Sequence, residues 1–321
     1  MIRYCIAYLN GQRLDEIRIE DIGETLKREG TFVWLALHEP NAFLLQKTQH
    51  EFNLHELAIE DAGLAHQRPK LEQYGNTLFI VLKTAMLLGH QLHLGETHMF
   101  VGPNFFMTVR HGPSVTYGKV RERLESMPVH MARGPVMAAH GVMDFVVDNY
   151  SPIADALETR FEKLEEDLFK GTYSRQTIER LYELKHELLV LRNAAAPVLD
   201  ITDGLIRFHA DLIPKDAQIY FRDIHDHVIR LLATLDETRE MLTAAMQVNL
   251  ALVSVEQNDS VRRLAGWGAI LAIPTVVFSL YGTNFQHIPE LASDYGYPVM
   301  LGVVTVVCVW LYRRLKRFGW L

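Results

Sequence analysis

Residues 262–317 read RRLAGWGAILAIPTVVFSLYGTNFQHIPELASDYGYPVMLGVVTVVCVWLYRRLKR. Two uncharged apolar stretches, Leu264 to Tyr281 and Tyr295 to Tyr312, flank one polar loop, and each is 18 residues long. At about 1.5 Å of rise per residue such a helix covers roughly 27 Å, close to the ~30 Å hydrocarbon core of a bilayer. The pattern predicts a membrane hairpin with a tight turn at one end. Its charges set the orientation. Arg262 and Arg263 precede the first stretch, and Arg313, Arg314, Lys316 and Arg317 follow the second. The loop between them carries only Glu290 and Asp294. The bias of basic residues toward the cytoplasm places both chain ends inside and the 282–294 loop outside. Met1 to Leu9 is too short an apolar run, and contains Arg3, to read as a signal peptide.

Outside the hairpin the composition is that of a globular protein, 49% hydrophobic and 22% charged over 321 residues. Of 32 basic and 39 acidic residues, six and two fall in residues 262–321, which leaves residues 1–261 at a net charge of −11. An acidic body argues against nucleic acid as a partner and suits a cation. The two cysteines, Cys5 and Cys308, lie in unlike environments and are not expected to pair.

Residues 1–135 mix strand and helix signals. Ile2–Leu9, Phe32–Leu37, Leu78–Leu88, Thr97–Val101 and Phe105–Arg110 read as strands, with Gly102-Pro103-Asn104 as a hairpin turn. Ala42–Phe52, His55–Asp61 and Ser114–Glu125 read as helices, giving an α/β domain with a mixed sheet. Residues 136–213 read as a helical hairpin, Val136–Lys170 and Arg175–Phe208, broken at Gly171-Thr172. Its carboxylates Glu158, Glu162, Glu165, Glu166 and Asp167 read as a solvated face. From Pro214 no glycine or proline interrupts the chain until Gly266. Residues 214–281 are therefore expected to form one helix of 68 residues, roughly 100 Å long. Ile224, Val228, Leu231, Leu235, Thr238, Leu242, Ala245, Asn249 and Leu252 recur along it at coiled-coil spacing. A helix of that length needs partners, which predicts an oligomer. Residues 295–312 form the second span and 313–321 a basic tail.

The same spacing continues through Asn258, Val261, Leu264 or Ala265, Gly268, Ala272, Thr275 and Ser279. These residues are small or mildly polar, while Trp267, Ile270, Leu271, Ile273, Val277 and Phe278 occupy other faces. A bundle of such helices would enclose a narrow lumen, with Leu264 as a constriction that gates by excluding water. Close packing of membrane helices uses small residues in the same way, and spacing alone does not separate the two.

The Tyr281-Gly282-Thr283-Asn284-Phe285 turn followed by Ile288-Pro289-Glu290-Leu291 resembles the CorA family of divalent-cation channels, whose turn reads Tyr-Gly-Met-Asn-Phe. The likeness extends to Ile59-Glu60-Asp61, to His66 through Glu72, to Tyr220 through His227, to Gly296-Tyr297-Pro298 and to the tail ending in Trp320-Leu321. It runs in order from about residue 55 to the C-terminus. The resemblance implies a funnel-shaped homopentamer of the bacterial inner membrane, with an N-terminal cytoplasmic α/β domain and a stalk helix continuing into the first span. That span would line the pore, and the second would pack outside it.

By the same resemblance Tyr281, Gly282, Thr283 and Asn284 form the selectivity loop, with Asn284 as a ring of amide oxygens at the outer mouth. Mg²⁺ sheds water reluctantly and prefers octahedral oxygen surroundings, which suits such a ring. Glu290 and Asp294 would concentrate cations beside it, and the flanking arginines would collar the inner mouth. Asp61 and Asp223, with Glu60 nearby, match carboxylates that share a regulatory Mg²⁺ between protomers and close the pore. Carboxylates pressed together repel until a divalent ion neutralises them. Thr283 departs from the family's Met, which leaves Zn²⁺, Co²⁺ or Ni²⁺ open as the transported ion. A non-conducting metal sensor is the remaining alternative, given a large body on only two spans. His90, His93 and His98 surround an expected hairpin; His225 and His227, two apart, do not share a helix face and make a poor metal pair. No phosphate loop, nucleophile elbow or zinc-protease motif is present, so neither an ATP-driven pump nor an enzyme is expected.

Overall fold

The computed structural model describes every residue except 90, 114, 170–174, 210–211 and 284–294. The described residues form two compact units, Met1–Thr243 and Ala244–Leu321.

The first unit is built on seven strands, β1 (Ile2–Leu9), β2 (Gln12–Glu16), β3 (Thr31–His38), β4 (Lys70–Tyr74), β5 (Thr77–Leu88), β6 (Gln91–Val101) and β7 (Phe105–His111). They lie in the order β2-β1-β3-β7-β6-β5-β4. Only the β3–β7 pair is parallel, so the sheet is mixed as the sequence predicts. The expected turn closes β6 onto β7, with Val101 opposite Phe106 and the Gly102 N–H donating to the Phe105 carbonyl at 2.9 Å. Two strands escape the sequence reading. β2 and β4 are short edge strands carrying Gln12, Arg13, Asp15 and Glu16, or Lys70, Glu72 and Gln73. Charges of this kind discourage edge-to-edge pairing and also erase the apolar alternation by which strands are read.

Helices cover both faces of the sheet, so the inner strand β3 is buried from Thr31 to Leu37 without polar alternation. α1 (Ile22–Thr25), α2 (Ala42–Phe52) and α3 (Glu56–Gly63) close one face. Their Ile22, Leu45, Phe52, Ala58 and Ala62 join Val33, Leu35, Phe79, Phe100 and Met107 in one core. Asn41 caps α2 by accepting from Leu44 N at 2.9 Å, and Asn53 ends it in a left-handed conformation. The other face, with Tyr8, Trp34 and Phe106, packs under α4 (Gly118–Glu125), α5 (Pro128–Met131), α6 (Pro135–Asp148), α7 (Tyr150–Phe169), α8 (Arg175–Ala195) and α9 (Pro197–Arg207). The Tyr150 hydroxyl donates to the Lys83 carbonyl, and the Tyr8 hydroxyl to Glu125 Oε1 at 2.7 Å.

Each of the two long helices expected over residues 136–208 is two helices. Pro152 cannot bond to the Asp148 carbonyl and crowds it, which separates α6 from α7; Pro197 does the same to Asn193 and separates α8 from α9. The turn proposed at Gly171-Thr172 lies outside the described residues. α10 (Lys215–Tyr281) is the single long helix expected, 67 residues in all. Ile224, Val228, Leu231, Leu235, Thr238 and Leu242 are buried within the chain itself. Arg192 of α8 forks onto Asp236 at 2.8 and 3.3 Å, and Thr202 of α9 meets His225 at 2.9 Å. That stretch of the seam is therefore satisfied inside one protomer and does not by itself call for a partner.

The second unit pairs the rest of α10 with α11 (Gly296–Arg317). Only 6% of the apolar window of each helix is buried. Leu271, Val276, Phe278, Val303, Val306 and Trp310 face outward, unlike the mostly buried side chains of a soluble core helix, which fits a lipid solvent. Pro274, inside α10, withholds a donor from the Ile270 carbonyl, and the Cys308 thiol of α11 approaches that oxygen at 3.8 Å. Beyond α11 the chain turns at Gly319, with φ +71°, and the Trp320 N–H returns to the Leu315 carbonyl at 3.0 Å. Leu321 then lies over Gly266, where an added Cβ would come within 3.3 Å of its side chain.

Candidate functional site

The expected pore face can be placed against α11. α10 meets α11 and the tail through Gly266, Trp267, Ile270, Val277 and Tyr281: Leu321 covers Gly266, Trp267 stands 6.2 Å from Tyr312, Cys308 reaches Ile270, and Val277 and Tyr281 share a crevice with Val299 and Val303. Val261, Leu264, Gly268, Ala272, Thr275 and Ser279 fall on the opposite side of a helix with about 3.6 residues per turn. All six are exposed in the single chain, as is Asn258 one turn further toward the N-terminus. The Thr275 hydroxyl donates to the Leu271 carbonyl at 2.8 Å, so its hydrogen is used within the helix and its oxygen lone pairs stay outward.

The helix ends where the loop expected to select the ion begins. Tyr281 is its last residue, the Gly282 N–H still donates to the Phe278 carbonyl at 2.9 Å, and both N–H and hydroxyl of Thr283 donate to Leu280 O, at 3.3 and 2.6 Å. Thr283 thus caps the helix with a hydroxyl where a Met has no donor. Asn284, Glu290 and Asp294 lie outside the described residues.

The regulatory candidates are on two elements of the first unit. Glu60 is exposed on α3; Asp61 beside it accepts from Lys70 Nζ at 2.7 Å. Asp223 is two-thirds exposed on α10, with His227 Nε2 at 3.8 Å. The three do not form a metal-sized group within the chain. The structure instead gathers Asp144 and Asp148 of α6 with His227 of α10, whose ligand atoms all lie within 4.8 Å of one another. Burial raises the Asp148 pKa above its usual value, and repulsion from Asp144 and Asp223 raises it further, against the pull of His227 and Arg123. Crowded carboxylates with one imidazole suit a divalent ion, so the donor set fits. The sequence reading passed over this group because α6 was placed inside one longer helix and His227 was weighed only against His225. His225 is bound to Thr202 instead.

A buried polar group also lies on β5 and β6. Glu96 accepts from His66 N at 2.5 Å, Gln67 N at 3.0 Å and Lys83 Nζ at 2.7 Å, and pairs with His98 Nε2 at 3.1 Å. Burial pushes its carboxyl up, but the bonds from His98, Lys83 and Gln67 outweigh it and hold the group down at about 2. The histidines around the β5–β6 hairpin are only partly described. His93 and His98 stand at positions of opposite parity on β6, and so face opposite sides of the sheet, and His90 is outside the described residues.

The family model of the CorA-like Mg2+ transporter protein matches residues 29–317. The cobalt/magnesium transport protein CorA of Thermotoga maritima is 29% identical over 281 residues, covering 87% of this chain and 80% of that protein. The putative metal ion transporter YfjQ of Bacillus subtilis is 28% identical over 320 residues, covering 100% and 98%. The complete structure of the CorA magnesium transporter from Methanocaldococcus jannaschii superposes with a TM-score of 0.82 at 20% identity, covering the whole of both chains.

Proposed function

The chain belongs to the CorA-like Mg2+ transporter family, a divalent-cation transporter rather than an enzyme, and from that premise we propose that it is a passive membrane channel, assembled as a homopentamer, whose main cargo is Mg²⁺. The observation that carries this reading is the outward face of α10. Val261, Leu264, Gly268, Ala272, Thr275 and Ser279 turn away from α11 and are exposed, although most of them are small or polar and gain little from lipid. Copies of α10 placed around an axis would make that face a lumen, with α11 on its outside and Leu264 as the dry constriction. Asn284 would ring the outer mouth, with Glu290 and Asp294 drawing cations toward it. Inward flux follows from the membrane potential, about 2.3 kcal/mol per elementary charge per 100 mV. Both chain ends lie in the cytoplasm.

Regulation in this reading is by product. Glu60 and Asp61 of one protomer and Asp223 of the next share a divalent ion, with Asp144, Asp148 and His227 beside Asp223 as a further place for one. Ion loss leaves unbalanced negative charge at the interface and loosens it. A second reading keeps the architecture and moves Zn²⁺, Co²⁺ or Ni²⁺, favoured by Thr283 at the loop and by the imidazole of His227.

Flux into liposomes separates these readings. Asn284→Ala is expected to abolish Mg²⁺ entry, and Thr283→Met to raise Mg²⁺ over Co²⁺ relative to the parent. Mg²⁺ flux indifferent to Asn284→Ala would remove the loop from the pathway, and Co²⁺ or Zn²⁺ flux exceeding Mg²⁺ flux would favour the second reading.

A further inference from the structure

Asp61, given above a share in the regulatory ion, is not free. Lys70 Nζ lies 2.7 Å from Asp61 Oδ2 and 2.8 Å from Glu72 Oε2, a single cation held between two carboxylates. Its position is built rather than incidental. Lys70 and Glu72 are two apart on β4 and so point to the same side of the sheet, the side that α3 covers. The ammonium also stands 5.6 Å from the centre of the Phe79 ring, and Glu72 accepts from the Tyr74 hydroxyl at 3.0 Å. The segment joining α3 to β4 is pinned from below by Glu96, through the amides of His66 and Gln67. The end of α3 is pinned by His111, whose Nε2 meets the Ala62 carbonyl at 2.8 Å. These bonds hold the backbone on either side of Asp61 and Lys70, while the two partly exposed side chains remain able to exchange partners.

We propose that Lys70 is a tethered surrogate for the regulatory divalent ion, occupying Asp61 when the ion is absent and competing with it for that carboxylate. The inference rests on Asp61 being a sensing residue. It adds what sets the sensor's threshold. An ion arriving at Asp61 must displace an ammonium already neutralising it, so the site fills only at cation concentrations high enough to win that exchange. Glu72 is where the displaced ammonium goes. It keeps Lys70 ion-paired after Asp61 has changed partner, so the exchange buries no unpaired charge.

The test uses full-length protein and the Mg²⁺ concentration that half-protects it from limited proteolysis, with flux closure in liposomes measured in parallel. Lys70→Met removes the competitor and is expected to lower the midpoint about tenfold, the order expected for losing one close unit charge. Glu72→Gln leaves Lys70 with Asp61 alone and is expected to raise the midpoint severalfold. Lys27→Met, at an exposed lysine paired only with Glu24, is expected to leave it unchanged. A midpoint unmoved by both Lys70→Met and Glu72→Gln overturns the proposal, as does an equal shift from Lys27→Met. Should Lys70→Met fail to fold, the sign of the Glu72→Gln shift decides. Asp61→Asn separates the two levels. If it leaves the midpoint where it was, the sensing role of Asp61 fails; if it moves the midpoint while the lysine and Glu72 variants do not, only the surrogate role fails.

Discussion

Glu96 carries more of the first unit than its sequence context suggests. Four groups converge on one carboxylate whose side chain is only 5% exposed, and two of them are backbone amides of the segment leading to Lys70. Glu96→Gln keeps the shape but replaces one acceptor oxygen by a donor facing other donors. It is expected to lower stability by about 2–3 kcal/mol, read as a fall in Tm. The pH dependence has a definite sign. A carboxyl held at about 2 in the folded chain, against an ordinary 4.5, stabilises fully above 4.5. That contribution fades as pH falls toward 2, and the Glu96→Gln chain should lack this acid-sensitive part of the unfolding curve. No motif marks Glu96, because its neighbours His98, Lys83 and the 66–67 amides are brought in by strand register. Thr283 is the opposite case. Its place after Gly282 shows at once that the loop departs from the family's pattern, and the structure adds that the hydroxyl is spent on capping Leu280 O.

Among the elements, α10 and α11 were legible because length, hydropathy and flanking charge agree. Their contact was not. It depends on Gly266, where the missing Cβ makes room for Leu321, and on Pro274, which frees the Ile270 carbonyl that Cys308 approaches. Gly266→Leu is expected to drive the tail off α10, exposing residues beyond Arg317 to carboxypeptidase while leaving the hairpin in the membrane; a tail as protected as in the parent would contradict the contact. The edge strands β2 and β4 were missed for the reason given by their charges, and the divisions at Pro152 and Pro197 because apolar periodicity runs through them unbroken.

The proposed ion path belongs to the scale of the whole molecule. One chain has a face of small residues but no lumen, and the gate attributed to Leu264 requires copies around an axis. Leu264→Ser should wet that constriction and raise basal Mg²⁺ leak in liposomes at least tenfold under closing concentrations of the ion, since a dewetted ring of leucines excludes an ion by its lack of water alone. Unchanged leak would move the constriction elsewhere on α10.

By itself the sequence determined what its own periodicity and composition encode: two candidate spans, a single long helix, a mixed α/β body and membership of a transporter family. These rest on local composition and on motifs read in order along the chain, and neither needs contacts to be known. Tertiary structure decided what depends on residues far apart in sequence. It turned the inner part of the coiled-coil seam into intramolecular core, set the small-residue face opposite α11, gathered Asp144, Asp148 and His227, and placed Lys70 on Asp61. A helix face has meaning only when its neighbour is known, and a carboxylate's role depends on which cation folding brings within about 3 Å of it.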